Sequence, residues 1–211
     1  MPLPRQLDPI EIRVLGALLE KQQTTPEYYP LTLNALLAAC NQKSNREPMM
    51  ELAEREVRAA LDRLHAEMLV WPSEGARVPR WEHTLDRRLD LDAKAKALLT
   101  ALFLRGAQTP GELRTRTERM VVWGSRREVE DTLSVMAAER DGLVVELHRQ
   151  PGQKETRWMT TVGGPPAEAA LAEASSADSS ASLAERVAQL EERVTALAAR
   201  LEELVEQLRD E

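Results

Sequence analysis

The 211-residue chain is 43% apolar and 30% charged, a balance that fits a folded globular protein and excludes a disordered or membrane-embedded one. No apolar run approaches the roughly 18 residues of a membrane span, residues 1–6 have no signal-like apolar core, and the lone Cys40 has no internal disulfide partner, so a cytoplasmic location is expected. The net charge of −7 resides in the tail: residues 1–90 hold 12 Lys/Arg against 14 Asp/Glu, residues 91–163 hold 12 against 10, and residues 164–211 hold 4 against 11, leaving a near-neutral body without the basic footprint of a dedicated nucleic-acid binder.

Apolar residues at Ile10, Val14, Leu15, Leu18 and Leu19 recur at helical spacing and predict a first helix over residues 8–23, with Asp8-Pro9 at its cap. Thr24-Thr25-Pro26 breaks it. A second helix is expected to start at Pro30-Leu31-Thr32, with Leu33, Leu36 and Leu37 leading to Cys40. A polar connection runs from Asn41 to Met50. A third helix, starting near Ala53, is expected to bury Val57, Leu61, Leu64 and Met68. Residues 69–71 and 78–82 then read as a hairpin turning at Ser73-Glu74-Gly75, with Pro72 and Pro79 suited to an edge ribbon.

The plan repeats. Residues 93–105 form a helix closed by Gly106. Thr109 with Glu112 and Ser125 with Glu128 are capping-box pairs opening the next two helices, the last running through Val129, Leu133 and Met136. A second hairpin follows over residues 143–161, turning at 150–153. Leu18-Leu19, Thr25-Pro26, Glu56-Val57, Leu61 and Arg80-Trp81 in the first copy match Leu102-Phe103, Thr109-Pro110, Glu128-Val129, Leu133 and Arg157-Trp158 in the second. Helix, helix, helix and hairpin, given twice, is the pattern of tandem winged-helix modules: domain 1 over residues 7–90 and domain 2 over 91–163, a mainly α fold with small β hairpins (α+β). Residues 164–182 read as a flexible linker. Leu183, Val187, Leu190, Val194, Leu197, Leu201, Leu204 and Leu208 then alternate spacings of four and three, a coiled-coil heptad over 183–209 that predicts a homodimer.

Long motifs carry a resemblance to a known family: Leu18-Leu19-Glu20-Lys21-Gln22, Thr24-Thr25-Pro26-Glu27, Ala39-Cys40-Asn41-Gln42-Lys43, Asn45-Arg46-Glu47-Pro48, and the stretch from Leu104 to Arg114. The chain resembles the YceH-like family of uncharacterised bacterial proteins over nearly its whole length. The resemblance implies two winged-helix domains, often with a C-terminal coiled coil, and implies little about activity. Two departures stand out: Ala53 where that family tends to have a Ser cap, and Trp158 with Thr160 where it tends to have Tyr and His.

The polar block before the third helix, with Asn41, Gln42, Lys43, Asn45 and Arg46, is placed to bond phosphates or base edges. It would equally serve to cap the flanking helices, with Arg46 and Glu47 pairing locally. Arg55 and Arg58 lie off the buried stripe of the third helix, next to Glu54 and Glu56. In the second copy, Arg126 and Arg127 occupy a helix first turn that favours anions; Arg114, Arg116 and Arg119 gather on or after the second helix, and Arg149, Lys154 and Arg157 line the hairpin. Trp81 and Trp158 read as anchors of hairpin to core. His65, His83 and His148 have no ligand spacing for zinc, and no phosphate loop, nucleophile elbow or acid pair is evident. The expectation is a non-enzymatic DNA-binding protein, a transcription regulator with no cofactor. The rival is a protein-interaction scaffold built from the same modules.

Overall fold

The computed structural model describes residues 5–73, 78–138, 142–149 and 155–164. They form an α+β structure of seven helices and two small antiparallel sheets. The linker after residue 164 and all eight heptad positions lie outside the described residues, as do the tips of both hairpins and Lys154. Among the described residues no helix is long and apolar enough to cross a membrane.

The first repeat comprises helix α1 (Pro9–Thr24), a 3-10 turn (Pro26–Tyr28), strand β1 (Leu31–Thr32), helices α2 (Leu33–Cys40) and α3 (Glu54–Ala66), and strands β2 (Val70–Ser73) and β3 (Arg80–His83). A short helix α4 (Leu85–Arg88), which periodicity did not anticipate, leads to the second repeat. That repeat has α5 (Ala93–Arg105), α6 (Pro110–Thr117), α7 (Arg126–Ala138), β4 (Val144–Leu147) and β5 (Arg157–Thr160).

Local chemistry accounts for the starts and stops. The Asp8 carboxylate accepts from the backbone N–H groups of Ile10 and Glu11, and Glu11 returns a bond to the N–H of Asp8, a capping box behind Pro9. Thr32, not Pro30, starts α2, its hydroxyl accepting from the Ala35 N–H at 3.3 Å. Ala53 offers no side-chain acceptor, so at α3 only half a box forms, from the Ala53 N–H to Glu56 at 2.7 Å. At α7 the Ser125 hydroxyl accepts from the Glu128 N–H, while Glu128 reaches the N–H of Gly124 rather than that of Ser125. The expectation that Met68 is buried is corrected: α3 ends at Ala66, Met68 takes a left-handed φ of 56° and is exposed, and Leu69 fills the core instead.

The duplication holds residue by residue. In β3, Trp81 lies between Leu31 of β1 and Pro72 of β2; in β5, Trp158 lies between Gln108 and Glu146 of β4. The Gln108–Trp158 bridge, with N–H to O distances of 3.0 and 2.7 Å, is the second copy of β1. Leu31-Thr32 is therefore the counterpart of Gln108-Thr109, which corrects the expected pairing of Thr25-Pro26 with Thr109-Pro110. In α3 and α7, Glu56 matches Glu128, Val57 matches Val129 and Leu61 matches Leu133 at identical helix positions.

One apolar cluster runs through both repeats. α1 and α5 lie at its centre and bury nearly every side chain from Val14 to Leu19 and from Ala97 to Leu104, as expected of helices covered on all sides. They meet at Gly16, where an added Cβ would stand 2.9 Å from Leu104 Cδ2 and 3.0 Å from Phe103 Cβ. The connection after α2 also docks on α5, through a 2.8 Å bond from the Glu47 N–H to the Leu104 carbonyl. At the other end, the Leu7 N–H donates to the Val162 carbonyl at 2.8 Å.

Glu11 is fully buried between Arg5, at 2.7 Å, and Arg63, at 2.8 Å. Burial alone would raise its pKa; hydrogen bonds from Arg5, the Asp8 N–H and Arg63 outweigh it and bring the value down to about 2. A depressed folded-state pKa means that the contribution is whole above about pH 4.5 and fades as pH falls towards 2. Denaturation measured between pH 6 and pH 2.5 should show wild type losing on the order of 2 kcal/mol more than Glu11→Gln, with the magnitude held down by the part-exposed arginines. Parallel pH profiles for the two proteins would contradict this.

Candidate functional site

The block that precedes α3 is largely turned inward. Arg46, expected at a nucleic-acid surface, is 6% exposed. Its guanidinium donates to both carboxylate oxygens of Glu20, at 3.2 and 2.6 Å, to the Ala39 carbonyl through two nitrogens, and to the Asn45 carbonyl. The local Arg46–Glu47 pair is thus replaced by a pair with α1. Asn41 clamps Leu52 by accepting from its N–H and donating to its carbonyl, both at 2.8 Å. Arg13, buried on α1, donates to the Cys40 and Pro48 carbonyls at 3.1 and 2.6 Å. Two arginines and an asparagine therefore hold the connection to the helices, so Asn41 and Arg46 are corrected from groove contacts to internal ties. Cys40 is buried as expected, and burial pushes its thiol pKa up to about 12, removing thiolate chemistry.

Gln42, Lys43 and Asn45 remain at the surface and face the second repeat, where Asn45 Oδ1 accepts from Arg105. Arg116 lies on the same side, held by Gln108 Oε1 at 2.6 Å and reaching Glu112 at 3.4 Å. Arg114 is exposed on α6.

On α3, Arg58 pairs with Glu54 at 2.8 Å and Arg63 pairs with Asp8 and Glu11, leaving Arg55 as the exposed arginine that engages no acid among the described residues. On α7, Arg126 is held between Glu130 at 2.9 Å and Glu155 at 2.7 Å. These carboxylates offset the positive field at the helix start, so Arg126 is a weaker phosphate ligand than its position implies. Arg127 beside it is exposed and engages no acid among the described residues. Arg157, at the start of β5, reaches Glu112 at 3.5 Å, and Arg149, just after β4, is exposed.

What emerges is a duplicated feature that sequence reasoning had in pieces. Arg55 is the second residue of α3 and Arg127 the second residue of α7. Each is followed by a glutamate that caps the helix start through a backbone N–H. An exposed guanidinium in a helix first turn is a cation placed where the helix dipole also attracts anions, although the capping glutamate beside it offsets part of that field. Trp158 is 7% exposed and anchors its hairpin in the core, whereas Trp81 is only half-buried and meets His65 edge-on at 6.2 Å.

Comparison with known proteins places the chain in a family. Residues 7–153 match the model described as "Protein of unknown function, DUF480", and the chain belongs to that family. It is similar to the UPF0502 protein of Geotalea daltonii, 50% identical over 165 residues that cover 78% of this chain and 76% of the relative. The UPF0502 proteins of Burkholderia orbicola and Paraburkholderia phymatum are 47% and 45% identical, covering 83% and 84% of this chain and 73% and 76% of theirs.

Proposed function

We propose that the chain is a cytoplasmic, non-enzymatic DNA-binding protein, a transcription regulator whose two repeats act as winged helices, with α3 and α7 as the groove-facing elements. The resemblance to the YceH-like family supports the winged-helix reading. The observation that carries the proposal is the repeated arginine, Arg55 and Arg127, exposed and engaging no acid among the described residues, at the second position of each third helix. Arg114 and Arg149 are further exposed cations on the second repeat, and the heptad from Leu183 to Leu208 makes the protein a homodimer.

Mobility-shift titration of duplex DNA at low salt tests this. Wild type should bind with affinity that falls steeply with salt, and Arg55→Ala/Arg127→Ala should bind at least ten-fold more weakly with a log–log salt slope smaller by about two. Both side chains are exposed, so folding should be unchanged by circular dichroism. Equal binding by wild type and variant, or none by wild type, would sink the proposal.

One observation favours a protein-interaction scaffold instead. Glu54, Glu130 and Glu155 neutralise cations on both third helices, and Met68 and Trp71 leave apolar surface open at 61% and 45% exposure beside the first hairpin. On that reading Trp71→Ser would abolish partner capture without changing DNA affinity.

A further inference from the structure

Between the two repeats lies a cleft of about 760 Å³, within the size range of small-molecule sites. One wall comes from the last turn of α1 and the connection after α2, and brings Lys21 and Lys43. The other comes from the end of α5, from α6 and from the residues after it, and brings Arg105, Arg116 and Arg119. Ala101, Leu104 and Met120 give it an apolar floor. We propose that this cleft binds a phosphorylated small molecule, its phosphates held by the lysines and arginines and its less polar body resting on the floor.

The charge is lopsided and built in. Glu20 is the one carboxylate in the lining, and Arg46 beneath it already takes both its oxygens. Arg105 is held in place by Asn45 and Arg116 by Gln108; Gln108 is itself buried and fixed by the Ala101 and Gly106 carbonyls. Arg105 is fixed by a neutral acceptor, and Arg116 by one neutral acceptor with Glu112 at 3.4 Å; both planar forks keep donors to spare, and such forks match phosphate oxygens. Lys43 and Arg119 are exposed and form no ion pair among the described residues. The crowding is felt by Arg105, whose pKa is lowered by burial first and then by the nearby charge of Arg116, with Glu47 opposing, Arg46 adding to the lowering and Glu20 opposing least. A bound polyanion would relieve that repulsion.

The shape selects a compact ligand over a duplex. A duplex lays its phosphates along an open ridge, whereas here the cations face one another across a recess. The site is also independent of Arg55 and Arg127, which do not line it.

Isothermal titration of the full chain with inorganic pyrophosphate and with ADP tests the proposal. The expected result is saturable binding that weakens with added salt, and a dissociation constant at least ten-fold higher in Lys43→Ala/Arg119→Ala. Neither side chain supports the fold, and Arg55→Ala/Arg127→Ala should bind both probes like wild type. No heat with either probe, or equal affinity in the Lys43/Arg119 variant, would overturn it. Duplex DNA affinity is measured on the same variants. Loss of duplex binding in Lys43→Ala/Arg119→Ala, without pyrophosphate or ADP binding by wild type, would assign the cleft to nucleic-acid backbone instead. Loss of duplex binding only in Arg55→Ala/Arg127→Ala would leave the two sites separate.

Discussion

Arg46→Ala is expected to destabilise the protein by about 3–5 kcal/mol, the range for breaking a buried ion pair from one side. The substitution strands the Glu20 carboxylate in the core. It also removes two N–H donors from the Ala39 carbonyl and one from that of Asn45. Burial alone would raise the Glu20 pKa, but hydrogen bonds and charge from Arg46, with help from Lys21, hold it below the ordinary carboxylate value. Without Arg46 that balance reverses, and the carboxylate would take up a proton or draw in water. Removing both charges should cost less than removing one, so Glu20→Gln/Arg46→Met should recover a substantial part of the loss. Urea denaturation of wild type and the two variants checks this. A single variant within 1 kcal/mol of wild type would mean that the pair is solvated and the connection is held by Asn41 and Arg13 alone.

Gly16→Val should be the second severe change, at about 3 kcal/mol, near the top of the range for overpacking. Glycine inside a helix ordinarily costs up to about 1 kcal/mol relative to alanine, so its presence in the middle of α1 has to be explained by what it touches. The neighbours are Phe103 Cβ and the Leu104 side chain. The leucine tip could turn aside, but Phe103 Cβ is fixed to the backbone of α5 and could not. Alanine should therefore be tolerated far better than valine, its helix propensity offsetting a small displacement. Because α1 and α5 share one core, the valine variant should lower hydrogen-exchange protection in α3 and α7 together, and the described unit should still unfold in one transition. Loosening confined to the first repeat would contradict a shared core.

Much of the fold could be read from residue order because its signals are local. Spacing of three and four placed α1, α3, α5 and α7 within a residue or two. Thr109 and Glu112 marked the start of α6 by chemistry that needs no tertiary information. The errors arose where a distant group decides. Leu31-Thr32 read as the start of a helix because its strand partner, Trp81, is fifty residues away. Met68 read as core by spacing, yet the left-handed residue that ends α3 turns it outward and passes the buried place to Leu69. Arg46 looked like a surface cation because its acid partner is on α1, twenty-six positions earlier. A charged Glu20 next to the apolar run ending at Leu19 was the available hint. The candidate cations could be listed from the sequence, but which of them are already engaged depends on Glu20, Glu130, Glu155 and Gln108, and sequence spacing does not report those contacts.

The bond from Leu7 to Val162 has a topological meaning. It closes residues 7–162 into a ring, with the helix that opens the first repeat tethered to the strand that ends the second. In a closed ring the order in which the halves are synthesised is immaterial to what they bury. Opened near residue 90 and joined across the Leu7–Val162 closure, the same polypeptide would present its halves in exchanged order and retain every contact between α1 and α5.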